Sequence, residues 1–256
     1  MIGKTQAVAL RCYPFSNTSR IVSWLTPDRG RLATLLKGAH RPRSMFLGQV
    51  DLFYTCELVW YPRDRGTLAI ARECCPLKTR DRLRTDWKAA ALASYLAGLT
   101  AQVSPPEAPH PGLFELLDDA LDQVAAGTTG APVLFWFELK LLEKLGLAPR
   151  LERCAACGAL LHPSRGADFV VARGGLICPH CSGSETSGRP RAAPDVVAMM
   201  SAWQQAAAPQ GPARTCLRPS QWAAVETLLG EFLAYHLDVL PQGRAIALDV
   251  LRRSLN

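Results

Sequence analysis

Catalytic signatures are scarce in this chain. It has five histidines in 256 residues, and none is followed two positions later by glutamate. That excludes the H-x-E start of a zinc deaminase. H-E-x-x-H, G-x-S-x-G and paired-acid motifs are missing too. Gly3-Lys4-Thr5 has the look of a phosphate-loop tail, but no strand and no earlier glycine precede it to build a backbone cradle. No catalytic residue, no nucleotide site and no small-molecule substrate are therefore expected. Long apolar runs are also lacking. Lys4 and Arg11 bracket only six residues, too few for the hydrophobic region of a signal peptide. The charge-free stretch Ala89–Pro106 contains Ser94, Thr100, Gln102 and Ser104 and ends in prolines, so it is not the roughly 20-residue apolar span a bilayer needs. The expectation is a cytoplasmic protein with no membrane partner.

Acidic residues are few in one place only. Residues 1–84 hold 15 lysines and arginines against 6 acids, a net +9, while the rest of the chain nets −2. The overall +7 is thus a property of the first third. With 48% hydrophobic and 20% charged residues the chain is globular, long enough for one or two domains. Such asymmetry points to a polyanion-binding module joined to a near-neutral one. The competing reading is a solvated basic face with no partner.

Residues 1–80 read as β. Ala7–Cys12 is a short apolar run, and Arg20–Thr26 is β-branched and aromatic. Pro27-Asp28-Arg29-Gly30 is turn chemistry, with proline presetting φ and glycine accepting a positive one. Arg31–Lys37 resumes the strand and makes a hairpin. Gly38–Gly48 is a basic loop, able to follow a backbone of variable shape. Asp51–Tyr61 and Gly66–Cys75 flank a turn at Pro62–Arg65. About five short strands with Gly/Pro turns predict a small closed barrel. After Pro76 the texture turns helical: Asp81–Val103, Leu113–Ala126 and a helix opened by Pro132 and stopped at Gly146 and Pro149. Ser104–Gly112, with its prolines, is a loop. Ser182–Ala193 reads as loop, then Asp195–Ala208 and Pro219–Leu240 as helices, with Ser220 a candidate N-cap. Phe135-Trp136-Phe137 reads as core packing.

There are nine cysteines. Cys12, Cys56, Cys74, Cys75 and Cys216 are scattered and read as ordinary small core residues of a reducing compartment. The other four form two pairs, Cys154-Ala-Ala-Cys157 and Cys178-Pro-His-Cys181, separated by 20 residues. That gap matches a structural zinc site. Two intervening residues let both thiolates of a tight turn face one ion, and turn amides soften their charge. The insert reads as a hairpin, Phe169–Ala172 and Leu176-Ile177 about a turn at Arg173–Gly175, which brings the knuckles together as in a zinc ribbon. Four thiolates fill the tetrahedron, so the site is structural, not catalytic. The minor alternative is a site of three cysteines and one histidine, using His162 or His180.

The barrel region holds eight aromatics, Tyr13, Phe15, Trp24, Phe46, Phe53, Tyr54, Trp60 and Tyr61. Small barrels bind single strands by stacking bases on exposed aromatics in a cationic groove. Most of the eight should still be core, leaving roughly two or three exposed.

Ala7–Arg11, Ser19–Leu32, Lys37–Ser44 and Phe137–Pro149 with the cysteine pair that follows it, taken in that order, resemble the RecO family of bacterial recombination and repair proteins. The first three look like its N-terminal barrel. Phe137–Pro149 leading into Cys154-Ala-Ala-Cys157-Gly158 looks like its helical domain entering its zinc knuckle. The resemblance is poor in residues 104–130 and 182–215. It implies an α+β architecture. A five-stranded OB-fold at 1–80 precedes an α-helical domain at 81–256 that contains a zinc-ribbon-like four-cysteine insertion at 150–185. It implies one structural Zn²⁺ held by Cys154, Cys157, Cys178 and Cys181. It also implies binding of single- and double-stranded DNA, annealing of complementary strands, partnership with RecR and the single-strand-binding protein, and a place at the nucleoid. Arg20, Arg29, Arg31, Lys37, Arg41 and Arg43 match the family's basic barrel surface. The rival readings are a zinc-ribbon RNA- or ribosome-associated binding protein and, more remotely, an enzyme with an open zinc position.

Overall fold

Strand β1 (Gly3–Pro14) is long enough to serve two neighbours. Its first half pairs with β4 (Thr55–Tyr61) and its second half with β2 (Arg20–Thr26). A bulge between Ala9 and Arg11 separates the halves and supplies the bend that closure requires. Strand β3 (Gly30–Leu36) follows β2 in a hairpin, and β5 (Ala69–Lys78) runs antiparallel to β4 and parallel to the end of β3. The result is a closed barrel of order β1-β2-β3-β5-β4, the OB-fold arrangement. The computed structural model describes residues 2–62, 68–162, 166–183, 191–238 and 243–253. The expected turn at 62–65 therefore lies, beyond Pro62, outside the described residues.

Alternation explains the core. In β3, Leu32, Thr34 and Leu36 point inward and their neighbours outward. Trp24 is fully buried and spends its indole N–H on Thr34 Oγ1 at 2.9 Å. Gly30 occupies the turn expected of it, with φ +63°, and a Cβ there would collide with the Ala108 carbonyl. The segment behind that carbonyl is the proline-rich loop, which lies along β3: Glu107 N–H donates to Arg31 O at 3.1 Å.

Helices α1 (Arg82–Thr85), α2 (Trp87–Val103) and α3 (Leu113–Ala125) follow. The single helix expected over Asp81–Val103 is divided, because Asp86 leaves helical geometry to cap α2, accepting from Lys88 and Ala89 N–H. The barrel and these helices form one compact unit, Met1–Gly127; Thr128–Asn256 forms the other.

The second unit is built on α4 (Ala131–Lys144), buried along nearly its whole length. The aromatic run is core, as expected. Phe135 stacks on Trp203 with centroids 6.1 Å apart, and Trp136 donates to Ala206 O at 3.0 Å. Around α4 are α6 (Pro194–Gln205), α7 (Gln210–Ala213), α8 (Pro219–Leu237) and α9 (Gly243–Arg252). The knuckle region comprises β6 (Ala167–Val170), one 3-10 turn (Val171–Arg173), β7 (Gly175–Ile177), α5 (Pro179–Ser182) and β8 (Arg191–Ala192).

Several expectations need correction. Ser220 is not the N-cap of α8. Arg218 holds that position, because Pro219 suits the first helical residue, and Gln221 Oε1 accepts from Arg218 N–H at 3.0 Å. Arg191-Ala192 is not loop but a third strand on β6. Strand β4 starts at Thr55, since Phe53 adopts φ +66°. Helix α9 was not anticipated at all. Of the scattered cysteines only Cys56 and Cys74 are fully core; Cys75 and Cys216 are exposed. No helix among the described residues is long and apolar enough to cross a membrane.

Candidate metal centre and nucleic-acid interface

The cysteine quartet is assembled by two tight turns laid side by side. In the first, Gly158 N–H donates to Cys154 O at 2.9 Å and Cys154 N–H to Ala159 O at 2.8 Å. In the second, Cys178 precedes α5, and Cys181 N–H donates back to Cys178 O at 3.0 Å. The register between them comes from β7. Arg150 N–H donates to Gly174 O, Leu176 N–H to Arg150 O, and Ala155 N–H to Leu176 O, at 2.7–2.9 Å. Gly175, with φ +148°, is required there, since a Cβ would collide with the Arg150 backbone. Ser182 donates to Asp168 and ties α5 to β6.

All four Sγ atoms lie within 4.8 Å of one another. Thiolates on a tetrahedral zinc at about 2.3 Å stand about 3.8 Å apart, and Cys157 Sγ is 3.9 Å from Cys178 Sγ. The donor set therefore fits a four-thiolate metal site. Neither His162 nor His180 belongs to the cluster. Burial works to raise the Cys154 thiol, but backbone N–H groups of Cys157, Cys178 and Ala156 outweigh it and bring the group down to about 6. Cys181, hydrogen-bonded to the thiols of Cys157 and Cys178, is pushed up to about 12. The turn amides thus favour the thiolate form that a metal takes up, and metal binding at such a cluster releases protons.

The six basic candidates of the barrel divide by environment. Arg20 is half-buried and donates from Nη2 to Val50 O at 2.5 Å. Its Nε is buried with no hydrogen-bond partner. Arg29 is exposed beside Asp28, 3.7 Å away. Arg31, Lys37, Arg41 and Arg43 have no ion pair among the described residues, and the last three are exposed. The loop from Gly38 to Gly48 is a series of tight turns, with Arg41 N–H donating to Gly38 O and Ser44 N–H to Arg41 O, both at 3.0 Å. It is anchored, because Phe46 and Val50 sink into the barrel core. Arg20 thus holds the segment that follows the cationic loop. Of the eight aromatics, Tyr13, Phe15 and Tyr61 are exposed and the other five are buried, in keeping with the two or three anticipated.

Comparison with known sequences decides the family. Residues 1–80 match the family described as "Recombination protein O N terminal", and residues 84–244 match "Recombination protein O C terminal". This chain belongs to the RecO family. It is similar to the DNA repair protein RecO of Roseiflexus sp. (strain RS-1), 31% identical over 96% of this chain and 85% of the relative. The RecO of Anaeromyxobacter sp. (strain Fw109-5) is 30% identical over 91% of each chain. That of Syntrophus aciditrophicus is 32% identical over 76% of this chain and 73% of the relative.

One polar centre of this RecO-family chain was missed by sequence reasoning. Lys78, the last residue of β5, and Arg80, just beyond it, converge on Asp118 and Asp122 of α3. Lys78 Nζ lies 2.5 and 2.6 Å from the two carboxylates, and Arg80 lies 2.6 Å from each. Asp118, Asp119 and Asp122 are close enough to hold a cation, but two of the three are already neutralised by these side chains. The available signal was the i, i+4 spacing of Asp118 and Asp122 on a helix face. The same pattern occurs on any solvated helix, so it pointed nowhere. In the second unit Arg244 and Glu138 form a comparable buried pair at 2.7 Å.

Proposed function

We propose that this protein is a recombination mediator that binds single- and double-stranded DNA and anneals complementary strands. It helps load a recombinase at gaps together with a RecR-type partner and the single-strand-binding protein. The observation that carries the reading is the set of exposed cations Lys37, Arg41 and Arg43, without ion pairs among the described residues, at a loop anchored to a closed barrel. Annealing needs affinity without sequence choice, and lysine and arginine contacts to phosphates supply that. Arg31 joins the three. Arg29 contributes less, sharing its charge with Asp28, and Arg20 positions the loop. In this reading residues 1–80 contact nucleic acid and residues 81–256, near neutral, dock proteins. No bond-making chemistry is involved. The protein works in the cytoplasm, at the nucleoid.

We assign Zn²⁺ to the cysteine quartet, one ion per chain. Four thiolates leave no position for a reacting water, so the ion serves the fold of residues 150–185. The decisive experiment is annealing of fluorescent complementary oligonucleotides across a salt series, with and without single-strand-binding protein. Acceleration over protein-free controls that fades with salt is expected; no acceleration refutes the reading. Preference for structured RNA over single-stranded DNA in competition would favour an RNA-associated role instead.

A further inference from the structure

Phosphate contacts give no reason for aromatic side chains to stand in water at one end of the barrel. Tyr13 is 44% exposed and Phe15 59%, whereas Trp24, Phe46, Phe53, Tyr54 and Trp60 are all at 7% or less. Arg11 and Tyr13 lie two residues apart on the outer face of β1, and Arg11 Nη1 donates to Tyr13 Oη at 3.4 Å. Phe15 follows in the turn to β2. That turn is held by its own backbone: Phe15 N–H donates to Ser19 O at 3.0 Å and Ser16 N–H to the same oxygen at 3.1 Å. It is also fastened to the cationic loop. His40 N–H donates to Thr18 O at 3.0 Å, and Gly38 N–H donates to Ser19 Oγ at 3.1 Å. Of the three exposed barrel aromatics, Phe15 therefore sits on, and Tyr13 on the strand leading into, a turn hydrogen-bonded to the segment bearing Lys37, Arg41 and Arg43.

Resting on the DNA-binding reading above, we propose that Tyr13 and Phe15 stack on bases of a single strand whose phosphates lie on Lys37, Arg41 and Arg43. The aromatic pair, not the cations, then sets preference for single strands over duplex. A duplex offers its phosphates as readily as a single strand does, so cations raise affinity for both. Its base faces are stacked on each other, so only an unpaired strand can use an aromatic platform. The β1 ladder and the hydrogen-bonded turn fix the backbone that carries the two rings before binding, which limits the ordering cost.

The test compares wild type with the double variant Tyr13→Leu/Phe15→Leu and with Phe15→Trp, by anisotropy of a labelled oligothymidine and a labelled hairpin duplex over a salt series. Leucine keeps apolar bulk and removes the π face. The double variant should bind oligothymidine roughly 5- to 100-fold more weakly. Its duplex affinity and the salt slope of both ligands should stay as in wild type. Phe15→Trp should retain single-strand affinity. Equal oligothymidine affinity in wild type and double variant overturns the inference and leaves the DNA-binding reading standing. A parallel loss on duplex also overturns it, because it marks collapse of the turn. Failure of wild type to bind oligothymidine at all refutes the reading itself, and the inference with it.

Discussion

Arg80 donates from Nη2 to Asp118 Oδ1 at 2.6 Å, joining residues 38 positions apart. The guanidinium is saturated. Nε serves Asp122, Nη1 serves Phe53 O and Thr55 Oγ1, and Nη2 also reaches Asp118 O, so all five donors are used. Arg80 itself adopts φ +52°, a backbone shape that the network maintains. The pair ties the bend before β4, the end of β5 and helix α3 into one unit.

Replacing Arg80 with Met should be costly, since it removes all five of these hydrogen bonds and leaves the buried Asp118 carboxylate with Lys78 in place of two cations. Losing one partner of a buried pair destabilises by about 3–5 kcal/mol. Arg80→Lys should also lose stability, because an ammonium cannot reproduce the planar fork. Urea unfolding followed through the buried Trp24 and Trp60 is the measurement. A midpoint unchanged from wild type would contradict this account.

Acid should weaken the same unit. Burial works to raise the Asp118 carboxyl, but Lys78, Thr55 and Arg80 outweigh it and hold the group below the usual aspartate value. Asp86 is lowered chiefly by the Ala89 N–H it caps. A carboxyl whose pKa is lower folded than unfolded binds protons more readily in the unfolded chain. Its contribution is therefore complete above the unfolded value, about 3.9, and is lost as pH falls from there through the folded value. Asp118→Asn should flatten the dependence of the unfolding midpoint on pH below about 4. An undiminished slope would remove Asp118 from the titration.

Metal removal should act on the second unit. Wild type should carry one zinc per chain, and Cys154→Ser should lose it and lower thermal stability, because binding energy at such sites is folding energy. Chelation of the wild-type protein should have the same effect. Metal analysis together with thermal melts checks both; a metal-free Cys154→Ser protein that melts like wild type would contradict the assignment.

Arg41→Ala/Arg43→Ala should lower the salt slope of single-stranded DNA binding by about one to two units, since each lost phosphate contact releases one fewer counterion. Duplex affinity should fall as well. An unchanged slope would take the loop out of the interface. This behaviour is the opposite of that expected for Tyr13 and Phe15, so the two variant sets separate charge from stacking.

Much of the barrel was legible because its signals are local. Arg20–Thr26 was bounded correctly, and β3 needed a shift of one residue, since alternation and a Pro-Asp-Arg-Gly turn are written within a dozen positions. The grouping of Cys154, Cys157, Cys178 and Cys181 was legible for the same reason, two residues between partners at each knuckle. Errors fell where local preference met a tertiary demand. Ser220 is a good N-cap type, yet Pro219 moved the helix start forward. Arg191-Ala192 sits in a segment with loop composition and is recruited as a strand by β6.

By itself, then, the sequence determined the order of the elements, the concentration of positive charge before residue 84 and which four thiols cluster, all set by neighbours along the chain. Only the tertiary structure decided what each cation does. Lys78, Arg80 and Arg20 counted equally with Lys37, Arg41 and Arg43 in the net charge. The first two are committed to carboxylates about 40 residues away and Arg20 to the Val50 carbonyl, while the other three are left in solvent. Charge is counted along a chain, but pairing depends on distance in space, and folding alone brings those partners together.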